Sequence, residues 1–171
     1  CENRSTDKRC KAKHWSGKTG TGGAERQHGM SVVYFDTSAL AKWYLPERGS
    51  DDVEAFLREN GPVHISGLTV VEMRSLLSRR RREGHFDAKS EARAFATFEE
   101  DIRKGFLICH TLPADLPRGA GSLISILPDV PLRTLDALHL AMAREIDAQV
   151  IATADNVMAD AAKEMEIDIV W

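Results

Sequence analysis

Long apolar runs, internal repeats and pairable cysteines are all missing from this 171-residue sequence, and each absence removes a class of protein. No run approaches the length of a membrane span, and no secretory signal opens the chain. The cysteines are Cys1, Cys10 and Cys109, an odd number at spacings that fit neither a disulfide framework nor a zinc site. A reducing cytoplasm is therefore the expected location, with no membrane contact. Cys109, inside FLICH, reads as a small core residue. What is present, 43% hydrophobic and 29% charged residues, describes a soluble globular chain with room for one domain of ordinary size.

Charge divides the sequence unevenly. Residues 1–29 carry seven Lys/Arg against three Asp/Glu, a balance of +4; the whole-chain total of −3 then leaves −7 for residues 30–171. The first 29 residues are polar, Gly-rich and without hydrophobic period, so they read as a flexible extension or a cloning remnant. Their GKTGTGG has the look of a phosphate loop. However, the Gly required five positions before GK is replaced by Ala12, and no strand precedes the segment.

From Met30 onward, short apolar strands alternate with helices. Strands are expected at 32–35, at VHIS (63–66), at FLICH (106–110), at VIATAD and at the terminal DIVW. Between them lie a helix interrupted by Pro46, a helix capped by Ser50, one opened by Thr69, and the amphipathic DAKSEARAFATFEEDIRKG. Thr134 reads as the N-cap of a helix burying Leu135, Leu138 and Met142, and NVMADAAKEMEI forms the last helix. A short helix near residues 119–127 interrupts an otherwise unreadable loop. This alternation implies a three-layer α/β fold, a parallel sheet of four to five strands flanked by helices.

Four acids stand in comparable settings. Asp36 ends the first strand, in SVVYFDTSAL, and Asp155 ends VIATAD. Glu72 lies in the first turns of its helix, and Asp136 follows the Thr134–Leu135 helix entrance. Ligands of open parallel sheets bind beyond the carboxyl ends of the strands, so acids from four distant segments can share one crevice. Crowded carboxylates raise one another's pKa, and a hard divalent cation removes that conflict. Magnesium or manganese, taking oxygen ligands, fits such a set. Two such ions roughly 3.5–4 Å apart can cleave a phosphodiester through an activated water. Taken singly, each acid reads as structural before catalytic, a turn-former or helix cap: Asp36 with Thr37 and Ser38, Asp155 with Asn156; it is the set of four that points to a site.

FDTSAL, the VVE of TVVEMRS, RTLDALHLA and ATAD together resemble, in order and spacing, the four acidic motifs of PIN-domain ribonucleases, most closely the VapC toxins. The resemblance covers residues 30–171. It implies a metal-dependent endonuclease for single-stranded RNA, with tRNA or rRNA as targets, a small VapB-like antitoxin as partner, and the homodimer common in that family. It also implies Asp36, Glu72, Asp136 and Asp155 as catalytic, metal-binding acids, using Mg²⁺ or Mn²⁺, with Ser38 and Thr153 as supporting hydroxyls. Where many relatives carry a basic residue after the fourth acid, this chain has Asn156.

Three further features need weighing. His139, one turn after Asp136, reads as a packed histidine in preference to a transition-metal ligand. Of the run Arg79–Arg82, two or more should line a solvated face. Arg79, seven residues beyond Glu72, shares its helical face and is the candidate for RNA or antitoxin contact. Trp43 and Tyr44, with Leu45, read as core or interface before base-stacking groups. Two other functions are open. A dehalogenase-type phosphatase would need an acid two residues after Asp36, where Ser38 stands. The other is a non-catalytic RNA- or protein-binding module on the same fold.

Overall fold

The structure, a computed structural model, describes residues 31–171. The extension reading for residues 1–29 lies outside that range. Five short strands form one all-parallel sheet: β1 (Val33–Phe35), β2 (Val63–Ser66), β3 (Leu107–His110), β4 (Val150–Ala152) and β5 (Asp168–Val170). Their order is β3-β2-β1-β4-β5. The register sets Phe35 level with Ala152 and Ser66 level with His110, so the carboxyl ends of neighbouring strands lie flush. Seven helices connect them among the described residues: α1 (Thr37–Tyr44), α2 (Ser50–Asn60), α3 (Gly67–Arg82), α4 (Ala88–Arg103), α5 (Leu116–Ile126), α6 (Thr134–Glu145) and α7 (Asn156–Glu164).

Strand alternation divides the core in two. Val33 and Phe35 of β1, with Val63, Ile65 and Leu107, face α1–α4, where they meet Leu40, Trp43, Leu57, Met73, Leu77 and Phe98. Tyr34 and Ile151 face the other way, toward Leu116 and Leu123 of α5, Ala137 and Leu140 of α6, and Met158 of α7. Trp43, Tyr44 and Leu45 are therefore core residues. Cys109 is only half-buried, and burial pushes its thiol pKa up.

Several helix starts differ from the sequence reading. Gly49, in the left-handed region, caps α2, while the Ser50 hydroxyl turns back to the Leu45 carbonyl. Helix α3 begins two residues before Thr69, with Ser66 as its N-cap; the Thr69 hydroxyl instead accepts the Ser66 N–H. Arg133, not Thr134, caps α6, and Leu135 is 46% exposed. Met142 is buried as expected and Leu138 packs against the core from a half-buried position; Ala137, His139, Leu140, Ala141 and Ala143 complete the α6 core face. Helix α5 is longer than expected at its start, with Pro117 in its first turn, where a missing N–H costs nothing.

Phe98 anchors α4 to the sheet. It is fully buried, and its ring stands edge-on to Tyr44 with centroids 5.6 Å apart. Phe98→Ala should lower unfolding free energy by about 3–5 kcal/mol, as expected for deleting a buried aromatic. Urea denaturation measures it; a loss under about 1 kcal/mol would mean that α4 does not share the core's cooperative unit.

Candidate active site

Asp36 is where β1 stops and α1 starts. Its N–H continues the sheet ladder to the Ala152 carbonyl (3.1 Å), and its extended backbone then makes it the N-cap of α1. The carboxylate is 5% exposed. It accepts the Ala39 N–H (2.9 Å), the Ser38 hydroxyl (2.8 Å to the nearer oxygen) and the Thr153 hydroxyl (2.9 Å). Each hydroxyl also accepts in turn: Ser38 from the Ala154 N–H at 2.8 Å, Thr153 from the Asp155 N–H at 3.0 Å. The loops after β1 and β4 are thus laced together through Asp36. Asp155 then caps α7, accepting the Val157 and Met158 N–H groups at 2.8 and 3.1 Å.

Glu72 joins from α3. Its Oε2 accepts the Thr37 hydroxyl, next to Asp36, and lies 2.6 Å from His139 Nε2 on α6. The other histidine nitrogen, Nδ1, is 2.7 Å from the Tyr34 hydroxyl, which is 3.0 Å from Ser66 Oγ. His139 is the packed, hydrogen-bonded residue expected from the sequence. Asp136, one turn earlier on α6, turns Oδ2 back to the Arg133 N–H at 3.2 Å. Thr37 and Tyr34 carry no signal in the sequence, because their partners lie 35 and 105 residues away.

Electrostatics separate the acids. Burial dominates at Asp36 and holds its carboxyl above the ordinary range, although the Ala39 N–H, the His139 ring and the two hydroxyls pull the other way. At Glu72 burial is again the largest single influence and raises the pKa. The bond and charge of His139, with the Thr37 hydroxyl, outweigh it, and the carboxyl ends below the ordinary range.

As the side chains stand, no three His, Cys, Asp or Glu residues among the described residues are gathered into a metal-holding group. Each acid is turned into a local cap or bond. The donor chemistry nevertheless suits a hard cation. Ser38 has one proton for the two Asp36 oxygens, so Asp36 receives at most three hydrogens on about four lone-pair positions. One oxygen each of Glu72, Asp136 and Asp155 receives no hydrogen bond from the described residues.

The family model of the PIN domain matches residues 33–164. Over 144 residues the chain is 33% identical to Ribonuclease VapC46 of Mycobacterium tuberculosis, across 82% of this chain and 98% of that protein. The chain belongs to the PIN-domain family, on its VapC branch. Solved structures share its fold. M. tuberculosis VapC20, described as a sarcin–ricin loop cleaving toxin, superposes with a TM-score of 0.61 at 20% identity, over 75% of this chain and 94% of that one. FitAcB from Neisseria gonorrhoeae gives 0.62 at 15% identity, over 82% and 97%. The Ser38 hydroxyl of this PIN domain donates to Asp36, which an acid at that position could not do when ionised, so the phosphatase alternative loses its second carboxylate and gains nothing in return.

The sign of pH dependence follows from Asp36. An acid whose folded pKa lies above its unfolded value adds stability at low pH, and that contribution is lost as pH rises through the folded pKa; Glu72 has the opposite sign. Asp36→Asn keeps an N-cap oxygen but carries no charge. Without metal, this variant should melt higher than wild type at neutral pH, with the advantage shrinking as pH falls toward about 4. Thermal melts in EDTA across pH check this. A lower midpoint at neutral pH would mean that the three donors outweigh burial.

Proposed function

We propose that this chain is a magnesium- or manganese-dependent endoribonuclease cutting single-stranded regions of tRNA or rRNA, and the toxin of a VapBC-type toxin–antitoxin pair. The observation that carries the reading is Asp36, a buried carboxylate at the carboxyl edge of the sheet. Its three donors are neutral, and no cationic side chain among the described residues is bonded to it. A buried charge so placed calls for a cation.

Asp36, Asp136 and Asp155 would hold the ion, with Glu72 completing the set. The ion supplies Lewis-acid activation of a water and charge stabilisation at the leaving oxygen. Ser38 and Thr153 keep Asp36 ionised and aimed. Glu72, held ionised by its donors, accepts a proton of the attacking water through Oε1 and orients it toward the phosphorus. No side chain has to form a covalent bond.

An acidic domain needs local positive charge to hold a phosphate backbone. In the arginine run, Arg81 pairs with Glu91 (2.6 Å) and Arg80 with Glu47 (3.3 Å). Arg79 and Arg82 are exposed and make no ion pair among the described residues. We assign Arg79, on the helix of Glu72, to RNA or to the antitoxin. The VapB-like antitoxin and a homodimer follow from VapC-family membership; the FitAB structure and VapBC2 of Rickettsia felis, which share the fold, are each named as bound to a DNA fragment.

Single-turnover cleavage of purified tRNAs and rRNA fragments, with Mn²⁺ and in EDTA, tests the reading. Cleavage should require metal, and Asp36→Asn should slow it by about 10² or more, roughly 3 kcal/mol of transition-state stabilisation, while RNA affinity changes far less. A variant as fast as wild type sinks the metal-site reading; binding without metal-dependent cleavage favours the non-catalytic module. Arg79→Ala should weaken RNA binding and reduce the slope of log affinity against log salt by about 1. An unchanged slope would remove Arg79 from the phosphate path.

A further inference from the structure

We propose that His139 is a positioning residue for Glu72, fixing which carboxylate oxygen is presented to the ion and its water; this inference rests on the endoribonuclease reading above. His139 is 3% exposed and lies where three elements of the site meet. A carboxylate oxygen only accepts, so the Nε2 that lies 2.6 Å from Glu72 Oε2 carries the proton. On the far side, Nδ1 is fixed by the Tyr34 hydroxyl at 2.7 Å, and Tyr34 by Ser66 Oγ at 3.0 Å. Ser66 is the N-cap of α3, the helix that carries Glu72. The chain of bonds therefore leaves α3 at Glu72, crosses α6 and β1, and returns to the start of α3. An imidazole bonded at both nitrogens cannot turn, and neither can the carboxylate it holds.

A histidine serving only to fill the core would need satisfied nitrogens and nothing more. Two features go further. Both donors to Glu72, Thr37 and His139, converge on Oε2, and Oε1 is left without a partner among the described residues. The Glu72 side chain is also 21% exposed, so water could solvate its charge and stability alone does not demand the histidine. The arrangement selects one oxygen.

The test compares His139→Asn, His139→Gln and Tyr34→Phe with wild type, by calorimetric Mn²⁺ titration and by single-turnover RNA cleavage. A Gln amide nitrogen reaches the position of Nε2, whereas that of Asn reaches only the position of Nδ1. His139→Asn should weaken Mn²⁺ binding and slow cleavage, each by about 10- to 100-fold, with RNA affinity unchanged, and His139→Gln should recover to within about threefold. Tyr34→Phe, which keeps the packed ring but frees Nδ1, should move both readouts the same way by less. Equal losses in the Asn and Gln variants, or melting midpoints that fall in step with activity, would overturn positioning in favour of packing. If wild type needs metal and His139→Asn matches it, positioning alone fails. If wild type neither binds Mn²⁺ nor needs it, the metal reading fails and this inference goes with it.

Discussion

A carboxylate at the end of a central strand, 5% exposed, cannot stay charged without donors or a cation, and Asp36 meets that constraint by drawing two loops onto itself. Its hydroxyl donors, Ser38 and Thr153, each accept one backbone N–H from the loop after β4. The bonds that satisfy Asp36 are therefore the bonds that shape the approach to Asp155. Turn chemistry and site geometry are one set of interactions here. Removing either hydroxyl would leave a buried charge short of a donor and loosen the segment carrying the fourth acid.

The second polar system runs through the core itself. Tyr34 is fully buried in an otherwise apolar cluster with Leu140 and Ile151, yet its hydroxyl contacts both Ser66 and His139. Among the described residues no buried side-chain nitrogen or oxygen lacks a partner. Satisfied buried networks rigidify what they connect, and half-satisfied ones are worse than an apolar core. This network connects β1, α3 and α6, the elements that deliver Asp36, Glu72 and Asp136. The network thus lies where Asp36, Glu72 and Asp136 enter, and the arginine-bearing end of α3 is left outside it.

Much of this was legible in the chain because it rests on local chemistry. The strand–helix alternation, the parallel sheet and the positions of Asp36 and Asp155 after buried strands all follow from short-range pattern. The helix starts were harder to read. Thr69 and Thr134 have the right residue type for caps, but Ser66 and Arg133 occupy those positions; α3 starts directly where β2 ends, and α6 takes its cap from the loop that follows α5. Leu135 misled for a different reason: α6 turns Leu140, Met142, its alanines and His139 to the core, and Leu135 falls on the exposed face. The Glu72–His139–Tyr34 chain was illegible because no local pattern records contacts between residues 67 and 105 positions apart.

Topology explains why these acids are neighbours at all. From β1 the sheet grows in one direction through β2 and β3, and in the other through β4 and β5. The order reverses between β1 and β4, so the connections leaving those two strands depart to opposite faces and open a crevice between them. Asp36 and Asp155 follow β1 and β4, one on each side of that reversal. Phe35 and Ala152 are register partners, so Thr153 comes level with Asp36 and bonds it, and Asp155 follows two residues further on. Helices α3 and α6 belong to opposite layers, and each brings one more acid to the crevice from its own side. Even so, the four carboxylates stand turned into caps and hydrogen bonds and do not point jointly at one point. A cation that also took the bonded oxygens of Asp136 and Asp155 would forfeit capping interactions worth about 1 kcal/mol each. That is small against the repulsion and desolvation that a divalent ion would relieve, so the caps would not oppose such an ion.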